Sequence, residues 1–225
     1  MEAYIVNGYR TAVTKAKRGG FNYTSPVDFG AAVINYLIDN TPGFDPGLVE
    51  DLIVGNAVPE AEQGLQIARW VSMRSNLPME IPGVTVNRYC GSGIETISMA
   101  VAKIKAGLAD CIIAGGTESM SLGPTTGFKT VPNYHIAKDH GDYFLGMGLT
   151  AEEISVKYGI SREDQDEFSL QSHKKAVHAI NEGKFKNQIV PVEVEKVDFD
   201  PATNKRVTST SIVDTDEGPR EDTNL

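Results

Sequence analysis

No apolar run in this sequence approaches bilayer length, so no membrane-spanning helix is expected. Positive charge is also in short supply. The 21 Lys and Arg against 30 Asp and Glu give a net charge of −9, and the basic residues form no stripe, which excludes the electrostatic footprint of a nucleic-acid binder. There are two cysteines, Cys90 and Cys111, and no basic and apolar signal segment precedes Tyr4. A structural disulfide is therefore not expected, and the cytoplasm is the expected compartment. The dinucleotide fingerprint is missing, because Gly91-Ser92-Gly93 has no third Gly at the required spacing, and no phosphate loop ending in Lys-Ser or Lys-Thr occurs. Metal ligation finds no support either. His173 and His178 are five apart, on different faces of a helix, and His135 and His140 lie in a Gly-rich stretch without a Cys nearby. All four read as surface histidines.

What the 225 residues do contain is a strand-then-helix alternation, with 40% apolar residues to bury one good core and a second small one. Tyr4-Ile5-Val6 reads as a first strand. Ser25-Pro26 with Asp28 signals a helix start, and the helix carries Val27, Ala31, Ile34, Leu37 and Ile38 to about Asn40. Leu52 to Asn56 is a second strand, and Gln63 to Arg74 a helix burying Ile67, Trp70 and Val71. Cys111 to Ala114, all apolar, is expected as a central strand. The alternation predicts an α/β fold with a mostly parallel sheet and right-handed crossovers.

Beyond Ser121 the pattern changes. Residues 122 to 148 hold seven Gly and Pro with little periodicity, long for a structureless loop and therefore read as functional. Thr150 with Glu153 predicts a helix start, with the helix reaching Tyr158 and stopped by Gly159. Ser161 with Asp164 predicts another, carrying Phe168, Ala176, Val177 and Ile180 to Gly183. Ile189 to Val194 and Val207 to Val213 read as paired strands.

The organising stretch is Val84-Thr85-Val86-Asn87-Arg88-Tyr89-Cys90-Gly91-Ser92-Gly93. Its start reads as a buried strand, and Ile94, Ile97, Val101, Ile104 and Leu108 continue it as a helix. Cys90 then sits on the turn. Gly91 and Gly93 are expected to give the bend, and the first-turn N–H groups to favour its thiolate. That is the geometry of a nucleophile held clear of a sheet. Cys111, flanked by Ile112 and Ile113, is expected to be inert through burial. Glu118 reads as a structural carboxylate or an active-site neighbour, with the structural role favoured.

Asn87 to Gly93, Ala114 to Ser121, Gly146 to Glu152 and Ile160 to Asp166 together resemble the amino-terminal half of a thiolase, an acyl-CoA C-acyltransferase. The resemblance spans almost the whole chain. It implies a thiolase-like core domain over residues 1 to 121 and an inserted, incomplete α+β loop domain over 122 to 225 that covers the active site and holds coenzyme A. The carboxy-terminal core domain is absent from the chain. Cys90 matches the acyl-carrying nucleophile, its own N–H an oxyanion donor, Met147 the residue against the acyl-pantetheine thioester, and Arg220 an Arg that stacks on adenine. Gly146 stands where some biosynthetic thiolases carry His. The segment after Arg10 is implied to lie near a subunit interface.

The resemblance also implies acyl-CoA and CoA as partners, CoA being a substrate with no tightly bound cofactor, and a homodimer or homotetramer. The family's activating His, second Cys and oxyanion Asn fall in the missing half, and none of the four histidines matches. Two other readings stand beside it: a condensing enzyme such as a ketoacyl synthase, which Asn87-Arg88 and the loop-domain motifs oppose, and a non-catalytic CoA-binding or assembly module.

Overall fold

The computed structural model describes residues 2–224. Contacts divide the chain into two compact units, Met1–Phe128 with Lys186–Gly218, and Lys129–Phe185 with Pro219–Leu225.

The first unit is built on a parallel sheet. Helix α1 (Pro26–Asp39) begins where Ser25 Oγ accepts from the Val27 N–H, as its sequence predicts, and Pro26 occupies the first helical position. Strand β1 (Asp51–Gly55) is buried at every residue. Helix α2 (Ile67–Arg74), strand β2 (Gly83–Val86), helix α3 (Ser92–Lys105) and strand β3 (Ile112–Gly116) follow. The strand order is β2-β1-β3, parallel throughout, with Gly55 level with Val86 on one side and Gly116 on the other. The expected α/β fold with a mostly parallel sheet is borne out. Its core joins Ile34 of α1, Leu52 and Val54 of β1, and Ile67, Ala68 and Val71 of α2. Each fully buried large aliphatic there contributes about 1.5–3 kcal/mol. Lys103 at the end of α3 pairs with Asp51 at the start of β1 at 2.5 Å, tying the helix to the strand.

A hairpin completes this unit: β4 (Val192–Phe199) and β5 (Arg206–Val213), antiparallel, with Val192 opposite Val213. Its base packs Val190, Val192, Val194 and Val213 on Phe21, Phe29 and Ala12 as a second cluster. Two carboxylates stitch it to the amino-terminal loop. Asp216 takes both Arg10 Nη atoms at 2.8 and 2.9 Å and the Val13 N–H at 2.8 Å, while Glu217 accepts from the N–H groups of Lys15 and Gly20.

The second unit holds α4 (Tyr134–Asp139), α5 (Met147–Tyr158) and α6 (Arg162–Asn181). Ser161 and Asp164 form a reciprocal capping box, and Gly159 and Gly183 stop their helices with φ of 63° and 65°, as expected. No described helix is long and apolar enough to cross a membrane.

Several expectations are corrected. Tyr4-Ile5-Val6 forms no strand and is exposed; residues of this type make a strand only against a pleated neighbour, and the chain first pairs at Arg10, with Ile189. The central strand is β1, whereas β3 is an edge with half-buried residues and Cys111 lies just before it. Strand β2 is half-buried rather than buried. The region 122 to 148 contains α4 and a 3-10 turn at Gly141–Phe144, and α5 starts at Met147, a turn before the predicted Thr150 cap. A separate 3-10 turn at Ala61–Gln63 delays α2 to Ile67.

The largest reversal concerns α3, whose buried residues are Ser92, Thr96 and Ala100. Its apolar side is open, with Ile94 76% and Ile97 40% exposed. Periodicity marks a face without saying what covers it, and here the small-residue face takes the sheet because it allows close approach. Trp70, expected inside, is 37% exposed, and Phe168 of α6 is exposed as well.

Candidate active site

The site is built where the parallel strands end. Gly55 at the end of β1 lies so close to the first turn of α3 that a Cβ would meet Ser92 Cβ at 2.8 Å, so only Gly lets the helix start above the strand. Ser92 is buried there, and its Oγ accepts the Arg88 N–H at 2.9 Å and donates to the Tyr89 carbonyl at 2.6 Å. These bonds close the turn from β2 into α3. Cys90 stands on that turn and is exposed, as the sequence predicts. Arg88 Nε lies 3.3 Å from Glu95 Oε2.

The bend comes from a different residue than expected. Gly91 and Gly93 have no positive φ, and a Cβ on Gly93 would meet nothing within 4 Å. Tyr89 takes the left-handed conformation instead, with φ of 47°, which is costly for a bulky side chain and persists only where neighbours enforce it. Asn87 is one enforcer, its Oδ1 accepting the Tyr89 N–H at 2.9 Å. The Gly91 and Ser92 N–H groups are spent on the carbonyls of Arg88 and Tyr89 at 3.0 Å each, so neither serves the sulfur as the sequence had implied. No sequence signal singled out Asn87 and Tyr89 for this role.

Beside the turn, Glu118 just beyond β3 receives the Ala57 N–H at 2.6 Å, Asn56 Nδ2 at 3.2 Å and Gln63 Nε2. Cys111 has the opposite character to Cys90. It is half-buried, and burial first, then the Glu50 charge, pushes its thiol above the ordinary range. Among the described residues no three His, Cys, Asp or Glu gather in a way that holds a metal.

Met147 and Arg220 belong to the second unit. Met147 is the first residue of α5, exposed, with Gly146 as its N-cap. The Arg220 N–H donates to His173 Nδ1 at 3.1 Å, and Arg220 lines an open cleft of about 390 Å³ with Lys174, His178, Asn181 and Thr223. Two cationic side chains, Arg220 and Lys174, line that cleft together with the Glu221 carboxylate.

A thiol raised on a strand-to-helix turn at the carboxyl ends of a parallel sheet defines a class of site, one suited to covalent attack on a carbonyl. The family described as "Thiolase, N-terminal domain" matches residues 3–225, and the chain belongs to it. A 3-ketoacyl-CoA thiolase of Bacillus subtilis (strain 168) is 49% identical over 193 residues, covering 86% of this chain and 49% of the relative. The peroxisomal 3-ketoacyl-CoA thiolase 5 of Arabidopsis thaliana is 36% identical over 224 residues, covering 98% of this chain and 48% of the relative. The crystal structure of the Bacillus anthracis acetyl-CoA acetyltransferase superposes with a TM-score of 0.80 at 27% identity, covering 99% of this chain and 56% of that one. The chain thus spans about half the length of the curated relatives it matches.

Proposed function

We propose that this chain carries the acyl-accepting half of a thiolase that cleaves 3-oxoacyl-CoA with CoA to acetyl-CoA and a shortened acyl-CoA, or runs the reverse condensation. The observation that carries the reading is the exposed Cys90 on the β2-to-α3 turn. Its thiolate attacks the keto carbon and forms a C–S bond. The bond between the keto carbon and the adjacent carbon then breaks, and the acetyl-CoA carbanion takes a proton. A second CoA thiolate attacks the acyl-thioester, and Cys90 leaves as thiolate. Splitting one displacement into two lowers each barrier. The site is proposed to take its proton acceptor and second acid/base from a carboxy-terminal half, so the chain alone is expected to accept an acyl group without turning over.

CoA binding is proposed for the second unit, with Met147 against the thioester end and Arg220 at the nucleotide end. Arg220 and Lys174, which share the cleft with the Glu221 carboxylate, support a phosphate-bearing ligand. No resident cofactor is proposed, CoA being consumed as a substrate. Homodimeric or homotetrameric assembly, a role in fatty-acid β-oxidation and a cytoplasmic location complete the reading. The relatives from Arabidopsis thaliana are named peroxisomal.

A second reading keeps the same nucleophile. The likeness to the Bacillus anthracis acetyl-CoA acetyltransferase favours an acetoacetyl-CoA-forming enzyme, and Gly146 speaks against it. The test is mass mapping after incubation with excess acetyl-CoA. An acetyl group is expected on Cys90, unchanged in Cys111→Ser and abolished in Cys90→Ala. Acetylation that survives Cys90→Ala would overturn the proposal, and a series of longer acyl-CoA donors separates the two readings by chain length.

A further inference from the structure

We propose that Glu118 is a positioning residue that sets the Cys90 thiol through Ala57 and Asn87. The inference rests on the reading of Cys90 as the nucleophile. Three strand ends meet here, and each contributes one link. Glu118, beyond β3, holds the Ala57 N–H at 2.6 Å. Ala57, beyond β1, is held at its other side as well, its carbonyl accepting from Asn87 Nδ2 at 2.9 Å. Asn87, beyond β2, then spends its Oδ1 on the Tyr89 N–H at 2.9 Å. Tyr89 is the residue at φ 47°, immediately before Cys90.

Each link is directional. Glu118 faces three donors, Ala57 N–H, Asn56 Nδ2 and Gln63 Nε2, so an amide at that position would turn an N–H against one of them. Gln63 is itself committed, its Oε1 accepting the Ser119 N–H at 2.8 Å and its Nε2 also donating to the Val58 carbonyl at 2.7 Å. The carboxylate thus fixes Ala57 in space. Asn87 is exposed, and the two hydrogen bonds of its side chain orient it. With Ala57 displaced, Asn87 loses the acceptor that aims its Oδ1 at Tyr89. The left-handed turn then loses its support, and the sulfur moves from its place at the start of α3.

Such a device acts on geometry rather than on accessibility. Acyl transfer needs the sulfur aligned with a carbonyl and its oxyanion donors, and a shift of roughly 1 Å costs up to about a hundredfold in rate. Alkylation by iodoacetamide needs only an exposed thiol.

The experiment compares wild type, E118Q, N87A and the double variant of this chain. Three rates are read: Cys90 acetylation by acetyl-CoA, Cys90 alkylation by iodoacetamide, and amide hydrogen exchange at Tyr89. Expected are acetylation slowed about tenfold or more in each single variant, alkylation within about twofold of wild type, and faster exchange at Tyr89 in E118Q although residue 118 does not touch it. The double variant should be no slower than the slower single one, because both break one path. Effects that add, acetylation and alkylation slowing together, or unchanged Tyr89 exchange in E118Q would each overturn the relay. If E118Q does not fold, E118D, which withdraws the carboxylate by one methylene, is read the same way. Wild type that takes no acetyl group on Cys90 would sink the proposed function, and the Tyr89 exchange would still decide the relay.

Discussion

Cys90 and Cys111 differ in exposure and in surroundings. Cys90 is exposed at the start of a helix, while Cys111 is half-buried beside Glu50 and its thiol is held above the ordinary range. Iodoacetamide at near-neutral pH is therefore expected to modify Cys90 first, as read by peptide mapping; equal labelling would refute the contrast. Arg220 lies in a cleft with Lys174 and the Glu221 carboxylate. Arg220→Ala in a complete two-half enzyme should weaken CoA binding several-fold, on the order of 1 kcal/mol by calorimetry, and leave acylation of Cys90 largely intact. An unchanged affinity would remove Arg220 from the site. The position of Cys90 was legible in the sequence, because a β-branched run, a Gly-containing turn and a helical period follow one another locally. The left-handed Tyr89 was not legible. Its conformation is imposed by Asn87, and Asn87 is aimed by residues far away in sequence, so no local propensity records it.

At the scale of elements, α3 was readable in extent and misread in orientation. Caps made by neighbours in sequence, Ser25, Ser161 and Gly159, declared themselves, whereas the covered face depended on a sheet formed elsewhere. The packing makes a prediction that reverses the usual hydrophobic rule. Ala100→Leu should cost about 1–3 kcal/mol by overpacking the sheet side, while Ile94→Ser should stay within about 0.5 kcal/mol in this chain. Urea melts of the two variants check it, and a larger loss for Ile94→Ser would mean that the apolar side is the packed one. The hairpin stitch makes a second prediction. The Arg10 hydrogen bonds hold the Asp216 carboxyl below the usual carboxylate range, against the effect of burial. A carboxylate with a lowered folded-state pKa adds stability above its unfolded pKa of about 4 and loses it as pH falls through the folded value. Asp216→Asn should thus lower stability by on the order of 1 kcal/mol at pH 7 and by less near pH 3. A difference that stays constant with pH would exclude the ion pair as its cause.

Across the whole molecule, the repeated strand and helix gave the fold class, but strand order escaped sequence reading, since an all-apolar strand is compatible with an edge that awaits a neighbour. In the first unit an apolar groove of about 820 Å³ runs past α1, β3 and α3, lined among others by Phe29, Ile97, Val101, Ile104 and Ile113. Exposed apolar surface on this scale should enhance the fluorescence of anilinonaphthalene sulfonate in the folded chain at pH 7, and Val101→Glu should reduce it. Dye emission at the buffer level would show that the groove is closed in solution. The hairpin also has a consequence in time. The three described strands of the sheet have all been made once Gly116 is synthesised, whereas the valines packed on Phe21 and Phe29 arrive only between Val190 and Val213. At about 5–20 residues per second, that leaves on the order of 5–20 s of ribosomal synthesis in between. Local collapse is over within about 100 μs. For that interval Phe21 and Phe29 have Ala12 and their neighbours in α1 beside them but lack the valines that later pack on them.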